Sequence, residues 1–196
     1  MKKSWIVIII IVLIGFLTYS WVKGTYNNMI TLGESVDKQW ADVENVYQRR
    51  ADLIPNLVST VKGYASHEKE TLEGVINARA KATSTTINAG ELSPDKIAAF
   101  QQAQDGLSSA LSKLMVVVER YPELKANQNF LELQAQLEGT ENRIAVERRK
   151  FNESARSYNT YIKLFPKNML ANMFGFEKKP YFEAQKGAET APKVEF

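Results

Sequence analysis

The chain begins with an unbroken apolar stretch and then changes to a pattern in which apolar residues recur at helical spacing. Residues 5–22 contain no charged side chain. As an α-helix, this segment would span roughly 27 Å, enough for the hydrocarbon core of a bilayer. Trp5 lies near one end and Tyr19 and Trp21 near the other, where interfacial aromatic residues belong. The pattern therefore predicts a transmembrane anchor over residues 5–22, preceded by a short N-terminal tail at residues 1–4.

A cleaved signal peptide is the alternative interpretation of this segment. The apolar stretch is long for a signal peptide, and residues 18–21 lack the small-x-small pattern of a cleavage site, so we expect a retained signal-anchor. Lys2, Lys3 and the amino terminus outweigh Lys23, and the positive-inside tendency therefore favours a cytosolic N-terminus with the remaining chain outside. The predicted localisation is a single-pass protein of the cell membrane.

Beyond residue 26, apolar residues recur three and four positions apart, which is typical of amphipathic helices. Pro55 lies inside the pattern, where it removes a backbone donor, so a break or kink is predicted at Ala51–Ile54. Ser93 followed by Pro94 predicts the start of another helix, and Asn127 predicts the start of the last long one. The predicted helices cover residues 26–50, 53–82, 95–121 and 127–165.

The lengths of these helices predict an all-α fold, in which a transmembrane helix is followed by an up-and-down bundle over residues 26–176. Four helices are preferred. The alternative is three helices with a long, kinked first helix, because the turn at residues 51–54 lacks glycine and slack for a reversal. The apolar face of residues 29–40 would then favour self-association. A short helix within residues 168–176 is expected to cover one end of the bundle.

Composition narrows the classes of function. The 25 basic and 22 acidic residues nearly balance and are spread along the chain, so nucleic acid is not an expected partner. The chain has no cysteine, which excludes disulfides, thiolate zinc sites and a thiol nucleophile. No cofactor is predicted.

His67 is the only histidine, and it does not support an enzyme. The sequence from His67 begins like a zinc-protease helix, but Thr71 stands where the second histidine ligand is required. A carboxylate-bridged dimetal site would need Glu-x-x-His pairs from two helices, which one histidine cannot supply. A Ser-His-acid arrangement has no supporting spacing. An ordinary surface role for His67 is favoured, and we predict no catalytic or metal-binding residue.

A second polar set lies near the predicted break and in the last long helix. The favoured hypothesis is an inter-helix network that fixes helix register, since arginine pairs well with carboxylates between helices. Solvated faces with local ion pairs are the next alternative, and a binding site for an acidic partner peptide is the third. The candidate residues are Arg49, Arg50, Asp52, Glu141, Asn142 and Arg143.

The C-terminal segment, residues 177–196, is proline-interrupted and charged, yet it keeps aromatic residues at Tyr181, Phe182 and Phe196. We predict a flexible tail. One hypothesis is a short linear motif that a partner protein's groove captures. The favoured alternative is a tail that folds back on its own bundle or stays disordered.

Several motifs resemble one known family. Its central signature is similar to Arg49-Arg50-Ala51-Asp52-Leu53-Ile54-Pro55-Asn56-Leu57-Val58, and the second half agrees at Tyr121-Pro122-Glu123-Leu124 and Glu138-Gly139-Thr140-Glu141-Asn142-Arg143. These motifs resemble the LemA family, and the resemblance covers essentially the whole chain. It implies a bacterial single-pass membrane protein with a helical bundle and no assigned catalytic residues.

Two classes of function follow from the sequence. The first is a non-catalytic, membrane-tethered scaffold or adaptor that presents a helical surface and a tail to a membrane protease, another membrane protein or copies of itself. Members of the family are often encoded beside membrane metalloproteases or small-domain membrane proteins. The resemblance therefore implies a membrane protease as one kind of partner. The second class is an enzyme or ligand-binding protein of unrecognised type, which would need a concave polar pocket.

Overall fold

A computed structural model describes residues 3–183, and most of them are helical. The helices are α1 (Lys3–Tyr64), α2 (Lys69–Ser84), α3 (Pro94–Val118), α4 (Pro122–Lys125), α5 (Gln128–Lys163) and α6 (Lys167–Phe174), with a 3-10 turn at Ala89–Glu91. Between residues 3 and 183 there is no strand, and the predicted all-α helical bundle is confirmed.

The bundle is built from α1, α2, α3 and α5. Helix α1 packs along α5 and against α2, while α2 packs against α3. Residues 4–21 of α1 extend beyond the bundle with exposed side chains, and burial begins at Val22 and Thr25. We call the end of the bundle near Val22 the proximal end and the opposite end, near the turn that follows Tyr64, the distal end.

The prediction of a break at Ala51–Ile54 is wrong, because α1 continues through Pro55. Proline has no backbone N–H, so the carbonyl of Ala51 loses its usual helical donor. The side chain of Arg79 on α2 replaces that donor, since its Nε donates to the Ala51 carbonyl at 2.7 Å. A neighbouring helix therefore satisfies the acceptor that Pro55 leaves unpaired.

The chain reverses at residues 65–68 instead, where the backbone N–H of Glu68 donates to the carbonyl of Ala65 at 3.1 Å. This turn separates α1 from α2. The described bundle therefore has four helices, as preferred, and the three-helix version with a kinked first helix is not formed. The apolar face of residues 29–40, which the three-helix version would leave exposed, is buried at Met29, Val36 and Trp40.

The predicted starts of two helices are confirmed. The Ser93 hydroxyl accepts a hydrogen bond from the backbone N–H of Lys96 at 3.3 Å, with Pro94 in the first turn. The Asn127 side chain accepts from the backbone N–H of Phe130 at 3.0 Å. The predicted short helix near the end is also present as α6, which is followed by the capping residue Gly175 with a φ of 74°.

The core consists of two apolar clusters. The proximal cluster is rich in aromatic residues and includes Trp40, Phe100, Phe151, Tyr158 and Phe182. The distal cluster is mainly aliphatic and includes Ile54, Leu57, Leu107, Leu114 and Leu124. Arg50 lies on α1 between the last proximal residue, Tyr47, and the first distal one, Ile54. A buried charge therefore separates two different halves of the core.

Candidate functional site

A polar layer crosses the bundle at Arg50, whose charged side chain is buried and only 2% exposed. Its Nη1 donates to the Ser108 hydroxyl and to Glu141 Oε2, both at 2.9 Å. Its Nη2 donates to the Gln104 side-chain oxygen at 2.7 Å and to the Gln104 carbonyl at 3.2 Å. Because these partners lie on α3 and α5, one guanidinium fixes three helices relative to one another.

Gln104 extends this layer to the end of α2, since its Nε2 donates to the carbonyl of Ala82 at 3.2 Å. Arg50 also lies over the ring of Tyr47, with 5.1 Å from its Cζ to the ring centroid. Burial raises the pKa of the Tyr47 phenol above 10.0, and the positive charges of Arg148 and Arg50 oppose that rise. The layer therefore includes side chains or backbone from all four bundle helices.

The structure brings together two of the six residues of the predicted network, Arg50 and Glu141. Asp52 instead accepts a hydrogen bond from Gln48 within α1, at 2.7 Å. The other three, Arg49, Asn142 and Arg143, are exposed, and within residues 3–183 none of them forms a hydrogen bond or ion pair with Arg50. Sequence reasoning missed Gln104 and Ser108, which are the uncharged partners that complete the layer.

A groove on the proximal half of the bundle holds residues 177–183, and we call these residues the docked segment. Asn159 of α5 donates to the carbonyl of Lys179 at 2.8 Å and accepts from the Lys179 N–H at 2.9 Å. Asn152 does the same with Phe182, donating to its carbonyl at 3.0 Å and accepting from its N–H at 2.9 Å. Two asparagines thus bind the backbone of an extended peptide in the same way.

The side chain of Phe182 anchors the docked segment in the proximal core and is 5% exposed. Its ring is stacked on Trp40 at 5.9 Å and meets Phe151 edge-on at 5.4 Å. The guanidinium of Arg148 also lies over the Phe182 ring, with 4.7 Å from its Cζ to the ring centroid. The ring therefore fills a socket of aromatic and cationic side chains.

Polar contacts hold both ends of the docked segment. Lys179 Nζ forms an ion pair with Asp37 of α1 at 2.8 Å. The Glu183 carbonyl accepts from Arg148 at 3.0 Å and from Gln101 of α3 at 3.2 Å. Backbone recognition by asparagines, an aromatic socket and charged ends together make this groove a site for an extended peptide, here occupied by the chain's own residues.

The candidate tail residues have different positions. Phe182 is buried in the groove, whereas Tyr181 is 43% exposed. Phe196 lies outside the described residues. The sequence carried one signal for the groove: Asn152 and Asn159 are seven positions apart on the apolar stripe of α5, and polar residues at core positions need partners.

His67 lies exposed in the turn between α1 and α2. Across residues 3–183 there is no group of three or more histidine and carboxylate side chains placed to hold a metal ion. The turn has a structural contact instead. Glu68 accepts a hydrogen bond from the Tyr121 hydroxyl at 2.9 Å and pairs with Arg120 at 3.0 Å, which fastens the distal end of the bundle.

One helix of the described chain, α1, is long and apolar enough to cross a membrane. Its N-terminal window of 18 residues has a mean hydropathy of 2.5, and none of that window is buried inside the protein. A core helix of a soluble protein would bury such a window. The exposed N-terminal part of α1 therefore suggests membrane anchoring.

Comparison with known proteins gives consistent matches over most of the chain. The LemA family model matches residues 39–196. Magnetosome protein MamQ from Magnetospirillum gryphiswaldense is 30% identical over 195 residues, which cover 91% of this chain and 71% of the relative. Magnetosome protein MamQ 2 from Paramagnetospirillum magneticum is 27% identical, over 84% of this chain and 67% of the relative. Protein LemA from Metamycoplasma hominis is 23% identical, over 93% and 80%.

Proposed function

The chain belongs to the LemA family, and from this premise we propose that it is a single-pass, membrane-anchored scaffold or adaptor without catalysis of its own. It holds a helical bundle close to the bilayer and presents that bundle, together with its C-terminal tail, to a membrane protein. A membrane protease is one such partner, and a second copy of the chain is another.

The observation that carries this proposal is the continuity of α1. The same helix contains the exposed residues 5–21 of the apolar segment and, further along, the buried residues Met29, Val36 and Trp40 of the proximal core. An uninterrupted helix transmits orientation, whereas a flexible linker would allow the bundle to turn freely. Membrane anchor and bundle core are therefore one rigid element, which suits a protein that positions other molecules.

The groove supports the presentation of the tail. The docked segment ends at Glu183, whose carbonyl is held between α3 and α5 by Gln101 and Arg148. Residues 184–196 therefore start from a defined point on the bundle. We propose that Phe196 and the residues before it form the partner-binding part of the tail, while Phe182 serves as its anchor.

The test is in-cell crosslinking of the intact chain, followed by affinity purification from membranes. A variant that ends at Glu183 removes the proposed partner-binding residues and keeps the docked segment. The companion variant Phe182→Ala keeps the tail but removes its anchor. We expect the intact chain to recover a defined membrane partner or a discrete homo-oligomer, and we expect the shortened chain to lose it.

The outcome separates the alternatives. Loss in the shortened chain places the contact in residues 184–196, and retention places it on the bundle surface. If the intact chain recovers nothing above the level of an unrelated single-pass control protein, the scaffold proposal fails. A search for a small ligand or a reaction would then be justified.

A further inference from the structure

The proximal end of the bundle carries several large apolar side chains that are exposed to a large extent. Phe165 is 81% exposed, Met169 63% and Met173 65%. Leu164 and Phe174 are 48% and 45% exposed beside them. All five lie on α6 or in the turn before it, and we call them together the α6 surface. Met169 and Met173 are four positions apart and therefore share one face of α6.

The α6 surface lies next to the point where α1 leaves the bundle. The inner side of α6 is buried at Leu170 and Ala171, and these residues belong to the proximal cluster against which Val22 packs. The ring of Phe174 meets that of Tyr26 edge-on at 5.0 Å. Helix α6 is thus held against the first turns of α1 that follow the apolar segment.

This position has a definite height relative to a bilayer. Tyr26 comes five residues after Trp21, which corresponds to about 7.5 Å along a helix axis. The polar headgroup layer on each side of the hydrocarbon core is roughly 5–8 Å thick. If residues 5–22 cross the core, the end of α6 at Phe174, which contacts Tyr26, therefore lies at the level of the headgroups.

The chemistry of α6 fits that level. Interfacial helices bury one apolar face among lipid chains and keep lysines at its edge. Helix α6 contains no acidic residue, and Lys163, Lys167 and Lys178 lie within or close to it. Methionine and phenylalanine are flexible or large enough to enter a lipid layer, and in water this exposed surface would be costly.

We propose that α6 and the turn before it form a second membrane contact, in which Phe165, Met169 and Met173 insert into the interface of the bilayer that anchors α1. The inference rests on the proposed anchoring of residues 5–22. Two contact points fix the tilt and rotation of the bundle, whereas a single transmembrane helix leaves rotation free. The peptide groove then faces a constant direction above the membrane.

The absence of cysteine makes a direct test clean, because a single introduced cysteine can carry a nitroxide label without background. The full-length chain is placed in nanodiscs of phosphatidylcholine with a minority of phosphatidylglycerol. Labels at Met169→Cys and Met173→Cys report the α6 surface. Val116→Cys is the matched control, since Val116 is an exposed apolar residue, 71% accessible, near the distal end. Ile11→Cys reports the anchor.

For each nitroxide label, the rate of collision with oxygen, which concentrates in lipid, is compared with the rate of collision with a water-soluble nickel chelate. We expect labels at 169 and 173 to be several-fold less accessible to the chelate than the label at 116, and more accessible to oxygen. The label at 11 should be the deepest of the four. The change Met169→Glu combined with Met173→Glu should bring the label at Phe165→Cys back to the accessibility measured at 116.

Different failures have different meanings. If the label at 11 lies in the bilayer while those at 169 and 173 match the label at 116, the α6 contact is wrong and the anchoring stands. If the label at 11 is also accessible to the chelate, the anchoring itself is wrong. Protection of 169 and 173 from both reagents, with spin–spin coupling between copies, would show that a second copy covers this surface and would overturn the proposal.

Discussion

Arg50 is the residue on which the division of the core depends. It places a full charge between two apolar clusters, and its two terminal nitrogens donate four hydrogen bonds. A buried charge of this kind is tolerated only when its partners are in place. Its ion pair is with Glu141, whose side chain is 57% exposed. Water can therefore replace the hydrogen bond made by Glu141 more easily than those made by Arg50.

Arg50→Ala should lower the free energy of unfolding by about 3 kcal/mol or more, because it leaves a cavity and unpaired polar groups on α3. Glu141→Ala should cost only about 1 kcal/mol, since its exposed carboxylate is largely screened by solvent. Urea denaturation of the detergent-solubilised chain, followed by circular dichroism, measures both changes. Arg49→Ala is the control on the neighbouring exposed position, and equal losses for all three variants would contradict the buried network.

The buried phenol of Tyr47 should make the free energy of unfolding depend on pH in the alkaline range. Burial raises the pKa of its phenol above 10.0 in the folded chain. A group whose pKa is raised on folding contributes its full stabilisation below the unfolded pKa and loses it as the pH rises through the folded pKa. The intact chain should therefore lose stability relative to Tyr47→Phe above about pH 10.

Comparing the urea midpoints of the intact chain and Tyr47→Phe from neutral to alkaline pH checks this expectation. The two proteins share all other tyrosines and lysines, so the difference between their curves isolates residue 47. A constant difference across the whole range would mean that the Tyr47 phenol titrates normally.

At the scale of elements, α1 remains helical through Pro55 because α2 provides a donor. The Nε of Arg79 occupies the place of the backbone N–H that Pro55 lacks, at 2.7 Å from the Ala51 carbonyl. Arg79→Met should therefore cost about 1–3 kcal/mol of stability by leaving that carbonyl unpaired. After Pro55→Ala restores the backbone donor, the same change should cost much less.

A double-mutant cycle of Pro55→Ala and Arg79→Met, read from denaturation curves, gives the coupling between the two positions. Neighbouring residues that act on one acceptor show non-additive energies, whereas independent sites add. Additive losses would show that Arg79 contributes to the packing of α2 without compensating for the proline.

The docked segment depends on two side chains of α5. Asn152→Ala and Asn159→Ala each remove a pair of hydrogen bonds to the segment's backbone. The amides of Phe182 and Lys179 should then exchange with solvent about tenfold faster or more, since 1.4 kcal/mol corresponds to a factor of ten. Hydrogen exchange read by mass spectrometry checks this. Asn142→Ala, an exposed position on the same helix, should leave the exchange unchanged.

At the scale of the whole molecule, the charges flanking the apolar segment predict its orientation. Lys2 and Lys3 outweigh Lys23, so we expect a cytosolic N-terminus and a bundle on the outer side of the membrane. In intact bacterial cells, a membrane-impermeant maleimide should therefore label Val116→Cys. A cysteine-free chain is the background control, and labelling only after the cells are opened would mean that the bundle is cytosolic.

Local patterns in the sequence predicted the all-α class and the starts of α3 and α5, but not the reversal between α1 and α2. The uncharged run of residues 5–22, the spacing of apolar positions and the caps at Ser93 and Asn127 act over one or two helical turns, so they can be recognised without knowing the fold. The family was also predictable from local motifs, and the matching family model confirms it. Arg50 and Glu141 were identified because both charged side chains stand within those motifs.

Tertiary structure decided what depends on distant partners. The carbonyl that Pro55 leaves without a helical donor is paired by Arg79 of another helix, which no local pattern could predict. Gln104 and Ser108 are ordinary polar residues until α3 is packed against Arg50. The docking of Phe182 beside Trp40 joins residues 142 positions apart. Local sequence sets the backbone propensities and the apolar faces. Only packing determines which polar groups meet, and whether an acceptor left unpaired in one helix receives a donor from another.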